Sequence, residues 1–206
     1  MATRYRDESR LRMLLAQECA RLMADEGVKD FLTAKRKAAV RLGVSNKALL
    51  PGNAEIEQAL LEYQRLFQAA EQPVRLRVLR EAAVAAMRFL ARFRPRLVGA
   101  VLAGTAGLDA DVNLHLFADT PEEVALFLME QTIPLTTAER RLRLGNGEYG
   151  YFPVFSFRAG EVSIDLTVFT PSQERQPPRS PVDGRPMRRA GLAEVQALLD
   201  REPGEF

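Results

Sequence analysis

The sequence predicts an α+β fold, a helical N-terminal region followed by an α/β domain with a mixed, largely antiparallel sheet, and three observations predict it. Apolar residues recur at helical spacing as far as residue 94, the period changes to strict alternation from Leu97, and the proline-rich stretch 171–190 bars regular structure. With 47% hydrophobic and 27% charged residues over 206 positions, the chain can bury one sizeable core or two small ones, but not three.

Leu11, Leu14, Leu15 and Leu22 form an amphipathic stripe, so 8–26 reads as a helix with Asp7 or Ser9 as its cap and Gly27 as its stop. A second helix starts after Asp30, buries Phe31, Ala34, Ala38 and Leu42, and stops at Gly43. The stretch 45–53, S-N-K-A-L-L-P-G-N, reads as a loop. A third helix, 54–69, sets Ile56, Leu60, Tyr63 or Gln64, and Phe67 on one side. Its acidic residues Glu55, Glu57 and Glu62 lie toward the N-terminal half, as the helix dipole favours. The fourth, 72–94, carries Leu76, Leu79, Ala83, Ala86, Leu90 and Phe93 on one stripe, with Arg77, Glu81, Arg88 and Arg92 opposite. Pro95 ends it, because proline disfavours a helical residue before it.

Alternation then places strands at 97–103, 111–118, 150–158 and 161–169, and a further strand within 139–145. Thr120 and Pro121 open a helix over 121–131, Gly145, Asn146, Gly147 and Gly150 mark a turn, and Ala159-Gly160 marks a tight hairpin. A short helix near 192–200 follows the proline-rich arm. The domains expected are thus a helical region over 1–70, an α/β domain over 71–170, and the arm with its short helix over 171–206.

The formal charge is +2, so attraction for phosphate would fall to local arginine clusters in 29–47, 75–96 and 175–189. A lone cysteine, Cys19, cannot form an intramolecular disulfide, and no run is apolar enough for a secretory signal or membrane span. A reduced cytoplasm is the compartment expected, with no membrane partner. Cys19 itself reads as a small core residue.

The chemistry concentrates between Arg96 and Asp119. Asp109, Asp111, Asn113 and His115 share one face of an alternating run, and in E-V-S-I-D-L-T-V-F the residues Ser163, Asp165 and Thr167 oppose Val162, Ile164, Leu166 and Val168. Neighbouring strands would let Asp111 and Asp165 converge. Two convergent carboxylates suit Mg²⁺ held against a triphosphate, and a Gly-Thr turn, Gly104-Thr105, lets backbone N–H groups approach phosphate.

This ordered set resembles the nucleotidyltransferase superfamily typified by DNA polymerase beta. That group has an apolar strand ending in Gly-Ser, a loop, a strand whose two carboxylates flank one apolar residue, and a third carboxylate on a later strand. V-L-A-G-T, D-V-N-L and S-I-D-L-T-V stand in those places, over roughly 90–170. The resemblance implies Mg²⁺-dependent transfer of a nucleotidyl group from an NTP to an acceptor hydroxyl. It implies Asp111 as the metal bridge, Asn113 as a neutral ligand, Asp165 as the residue helping to activate the acceptor, and Gly104 and Thr105 as holders of the triphosphate. Thr105 stands where serine is usual, Asn113 replaces the second carboxylate, and the loop T-A-G-L-D-A-D is short. Asp109 and Asp111 can instead be paired as D-A-D, which adds Asp109 to the metal set and shortens the loop further.

Asn113 and the short loop motivate an alternative: a catalytically inactive module of the same fold that binds or regulates, with the helical region engaging a protein partner or its own copy. A third reading takes K-A-A-V-R-L-G-V-S-N-K-A-L-L as a helix-turn-helix reading DNA, but Pro51 and Gly52 cut its second helix short. No aromatic residues interleave the basic residues Lys35, Arg36, Lys37 and Arg41, so nucleic acid is not an expected partner. His115, the single histidine, has no companion ligand in sequence and reads as structural or solvent-facing. Arg175, Arg179, Arg185, Arg188 and Arg189 in the arm either neutralise phosphate or tie the arm to acidic surface.

Overall fold

The helical period of the first ninety residues is realised as four helices. A computed structural model describes residues 2–107 and 109–200, with side chains from residue 7 onward, so Leu108 in the predicted loop lies outside the described residues. The helices are α1 (Ala2–Asp25), α2 (Phe31–Arg41), α3 (Asn53–Phe67) and α4 (Glu71–Phe89). Asp30 caps α2 by accepting from the Thr33 N–H at 2.8 Å, and Gly27 and Gly43 take the left-handed conformation that follows α1 and α2. The stretch 45–53 holds a 3₁₀ turn, Lys47–Leu49, capped by Asn46, so no second helix-turn-helix element forms.

The chain divides into two compact units: 1–75 with 105–110 and 181–183, and 76–104 with 111–180 and 184–206. In the first, α1 packs against α2 and α3 around Leu15, Cys19, Leu22, Val28, Ala34, Ala38 and Ile56. Burial pushes the Cys19 thiol up to about 11, which keeps it protonated and inert at neutral pH. Ion pairs fasten the same helices. Arg41 donates to Glu18 at 3.1 Å and to Glu26 at 2.8 Å, and Arg12 grips Glu55 with two nitrogens. Arg41 is thereby engaged within the unit, although the sequence places it on a basic surface. The loop after Gly104 also belongs here: Gln64 Nε2 donates to the Thr105 carbonyl at 3.1 Å and Gln72 Nε2 to the Ala106 carbonyl at 3.3 Å.

The second unit is built on a five-stranded mixed sheet. Its strands are β1 (Arg96–Val98), β2 (Val112–Phe117), β3 (Thr136–Arg143), β4 (Tyr149–Ala159) and β5 (Val162–Phe169), in the order β1-β2-β5-β4-β3. Only β2 and β5 run parallel; the other neighbours are antiparallel. Between strands lie α5 (Ala100–Ala103) and α6 (Pro121–Glu130), and α7 (Leu192–Asp200) follows the arm. Alternation decides the faces. Leu97, Val112, Leu114, Leu116, Ile164, Leu166 and Val168 are buried on one side, where α6 contacts β5 and Phe127 of α6 stacks on Phe89 and Phe93. Among the described residues no helix is long and apolar enough to cross a membrane.

The predicted strand 97–103 is corrected: only Leu97 and Val98 of it belong to β1, and Ala100–Ala103 form one helical turn. An apolar run of this length fits a strand or a buried helix equally well by pattern alone. Gly99 decides between them: at φ 74° and ψ −155° it sits in a region that only glycine adopts, turning the chain into α5, which Gly104 closes at φ 85°. Gly99→Ala is therefore expected to cost about 1–3 kcal/mol of stability, read as a lowered midpoint in urea unfolding with an unchanged slope.

The arm is ordered by main-chain pairing. Pro171–Arg175 forms a 3₁₀ helix, the Arg179 N–H donates to the Arg143 carbonyl at 2.7 Å, and Ala190 exchanges two 2.9 Å hydrogen bonds with Leu97 at the edge of β1.

Candidate functional site

The second face of the sheet carries the polar residues of the sequence pattern, and strand pairing sets their order. Asn113 on β2 lies directly beside Asp165 on β5, Asp165 opposite Ser156 on β4, and His115 beside Thr167. Asn113, Asp165 and Ser156 are partly exposed, whereas Thr167 and His115 are buried. The strand β2 begins only at Val112, so Asp109 and Asp111, read as strand residues by alternation, precede it. The register explains this: β1 reaches only as far as Asn113, and β5 begins its pairing at Val112. The partner of Asp165 is therefore Asn113, and Asp111 enters through its main-chain carbonyl, which accepts from Asn113 Nδ2 at 3.1 Å.

Arg140 closes the cluster from the far edge strand. Its Nη1 donates to Asn113 Oδ1 at 2.7 Å and to Thr167 Oγ1 at 3.4 Å, while Nη2 pairs with Asp165 Oδ2 at 2.7 Å. Ser156 Oγ donates to Asp165 Oδ1 at 2.7 Å. Both carboxylate oxygens of Asp165 and the carbonyl oxygen of Asn113 are thus accepting hydrogen bonds, three of the four bonds in this set coming from one planar guanidinium. Sequence reading did not single out Arg140. Its only signal is the position of an arginine in T-T-A-E-R-R-L-R, whose alternation points residue 140 to the polar face.

Asn113 and Asp165, which the resemblance assigns to a divalent cation, do not fit one as they are bonded here. Magnesium needs several oxygen lone pairs turned toward one point. Here Asp165 Oδ2 and Asn113 Oδ1 accept from Arg140, a cation with no acceptor of its own, and Asp165 Oδ1 accepts from Ser156. Asp109 belongs to the helical unit, where its carboxylate lies against Gly27: a Cβ there would stand 2.8 Å from Asp109 Oδ2. Among the described residues, no three His, Cys, Asp or Glu side chains are grouped so as to hold a metal ion.

The glycines are redistributed as well. The apolar strand ends at Val98, and the glycine that closes it is Gly99, followed by Ala100, which has no hydroxyl. A Cβ on Gly99 would lie 3.9 Å from Asn113 Cβ, so it is Gly99 whose backbone borders the polar cluster. Gly104 instead caps α5, and Thr105 is buried in the helical unit.

His115 is enclosed, not solvent-facing. Its Nδ1 accepts from Arg189 Nε at 3.0 Å, which leaves the ring proton on Nε2, and its ring stacks on Phe169 at 4.5 Å between centroids. Burial, then the charges of Arg189 and Arg140, hold it well below the ordinary histidine value. Arg189 also lies over the rings of Phe117 and Phe169, and donates to the Gln173 and Glu174 carbonyls at 2.9 Å. Burial lowers its own pKa to about 10, which leaves it charged at neutral pH. In this arm Arg189 thus ties chain to chain, while Glu174 pairs with Arg94 at 2.7 Å and Arg96 at 2.9 Å.

Comparison of the chain with protein-family models, with curated proteins and with solved structures finds no match.

Proposed function

We propose that this chain is a nucleotidyltransferase-like module that binds or regulates without transferring a nucleotide. One observation carries the reading: the guanidinium of Arg140 holds Asn113 and Asp165, two of the side chains that the resemblance gives to the metal site. A neutral Asn113 already removes one anionic ligand, and Arg140 neutralises a second, Asp165. Ala100 after Gly99 removes the hydroxyl at the strand-ending turn. The order of elements, with the glycine-closed strand, β2 and the carboxylate on β5 in sequence, is what supports the likeness itself.

Two measurements test it together. Titration with Mn²⁺, followed by electron paramagnetic resonance, is expected to show no tight site in the natural chain. The combined Asn113→Asp and Arg140→Ala variant is expected to gain Mn²⁺ affinity by roughly tenfold or more, since two facing carboxylates then lack an internal cation. No gain would remove Arg140 from this role. Metal-dependent incorporation of labelled NTP into any acceptor, abolished in Asp165→Ala, would overturn the reading in favour of an active Mg²⁺-dependent transferase in which Arg140 leaves Asp165 for the triphosphate.

A further inference from the structure

The outer end of the β3–β4 hairpin carries a second polar surface on the other side of the sheet. Arg141 faces Tyr151 and Arg143 faces Tyr149 in the antiparallel register, and directly opposed residues point to the same face. Arg140 pairs with Phe152, so this surface is opposite to the one bearing Asp165. Tyr149 and Tyr151 are 54% and 66% exposed, whereas Phe155 and Phe157, next on the same face of β4, are buried. The sheet therefore runs out past its apolar cover and ends in two exposed rings.

Beside the rings stand Arg141 and Arg143, with the carboxylates of Glu139 and Glu148 on the same end of the hairpin. Glu139 shares the face but stands opposite Pro153, toward the covered part, and Glu148 in the turn is held by Asn146 Nδ2 at 2.6 Å. Among the described residues Arg141 and Arg143 have no carboxylate partner; Arg141 instead lies over the Tyr149 ring with its guanidinium carbon 3.8 Å from the centroid. A guanidinium on an aromatic ring keeps its full charge and its N–H edge free for an anion. Tyrosines two residues apart on a strand stand about 6.7 Å apart, room for one planar group between two parallel rings, and the Arg141 guanidinium covers one face of Tyr149.

From this juxtaposition we infer that the exposed end of the β3–β4 hairpin binds single-stranded nucleic acid, with Tyr149 and Tyr151 stacking on bases and Arg141 and Arg143 contacting phosphates. Exposed rings beside arginines that have no carboxylate partner suit sequence-tolerant binding to a single strand, because every base offers a π face and every linkage a negative charge. A protein partner would be served by the rings but would leave two adjacent arginines to be matched. Linear reading of 29–47 finds no such interleaving because here the aromatic residues and the arginines lie on different strands. This binding does not depend on whether the Asp165 site transfers.

Fluorescence anisotropy with labelled oligouridylate and oligodeoxythymidylate tests the surface on the full chain. Saturable binding at low salt is expected, weaker for the corresponding duplex. The paired variant Tyr149→Ala and Tyr151→Ala is expected to weaken it roughly tenfold or more, while Tyr151→Phe retains it. Arg141→Gln with Arg143→Gln is expected to reduce the slope of log affinity against log salt by roughly one unit. All four residues are exposed, and an unchanged thermal melt establishes that each variant folds. Unaltered binding by the alanine pair, equal binding to duplex, or no saturable binding to either oligonucleotide would overturn the proposal, the last leaving the rings to a protein partner.

Discussion

Leu166→Ala is expected to lower the unfolding free energy by about 2–5 kcal/mol, measured by urea titration monitored by circular dichroism. Leu166 is fully buried on β5, between β2 and β4, so neither flanking strand can move in to fill the space left. Its sequence neighbour gives the contrast. Asp165→Asn keeps an acceptor for Ser156 and removes only the charge facing Arg140. With 18% of the Asp165 side chain and 33% of the Arg140 side chain exposed, solvent screens that pair and the cost is expected near 1 kcal/mol. One residue along a strand thus separates a change that threatens folding from one that tests function. Similar losses at both positions would show that Arg140 is a structural tie for which Asp165 is indispensable.

The same alternation explains what could be read before the structure was known. Val162, Ile164, Leu166 and Val168 repeat with a period of two, which assigns β5, its buried face and the outward position of Asp165 without any knowledge of its partners. The helices α2 and α3 were equally legible, because the cap Asp30 and the stop Gly43 act within a few residues, whereas α1 starts at Ala2, ahead of the expected caps Asp7 and Ser9, and α4 ends at Phe89, short of Pro95. The site was not. Arg140 lies 25 residues before Asp165 in sequence and reaches it across β4, and that depends on strand order, which no local pattern encodes. The span 97–103 was misread for a related reason: apolar content says that Val101 and Leu102 are buried, whereas the conformation of Gly99 decides that they are helical. Asp109 and Asp111 continue the alternation of β2 past the point at which neighbouring strands remain to pair with them.

Acidification from pH 7 toward pH 5 is expected to destabilise the second unit through His115. The groups facing it are cationic: Arg189 at 3.0 Å from the arm, Arg140 from β3, and Arg96 opposite it on β1, with Glu174 engaged by Arg94 and Arg96. The folded chain therefore holds the ring neutral, with a pKa well below the value near 6.5 of an unfolded chain. Between those two values the unfolded chain binds a proton that the folded chain refuses, so stability falls as pH falls. The slope approaches about 1.4 kcal/mol per pH unit below pH 6.5 and levels off once the folded value is reached. This window lies above that of the carboxylates Glu18, Glu55 and Asp30, which hydrogen bonds hold below their ordinary values and whose contribution is lost only at lower pH. His115→Gln separates the two: it removes the titration and keeps a side-chain oxygen to accept from Arg189. The variant is expected to be less stable at neutral pH and nearly flat between pH 6.5 and 5. A natural chain equally flat across that interval would mean that the Arg189–His115 contact opens in solution and leaves the imidazole free to protonate.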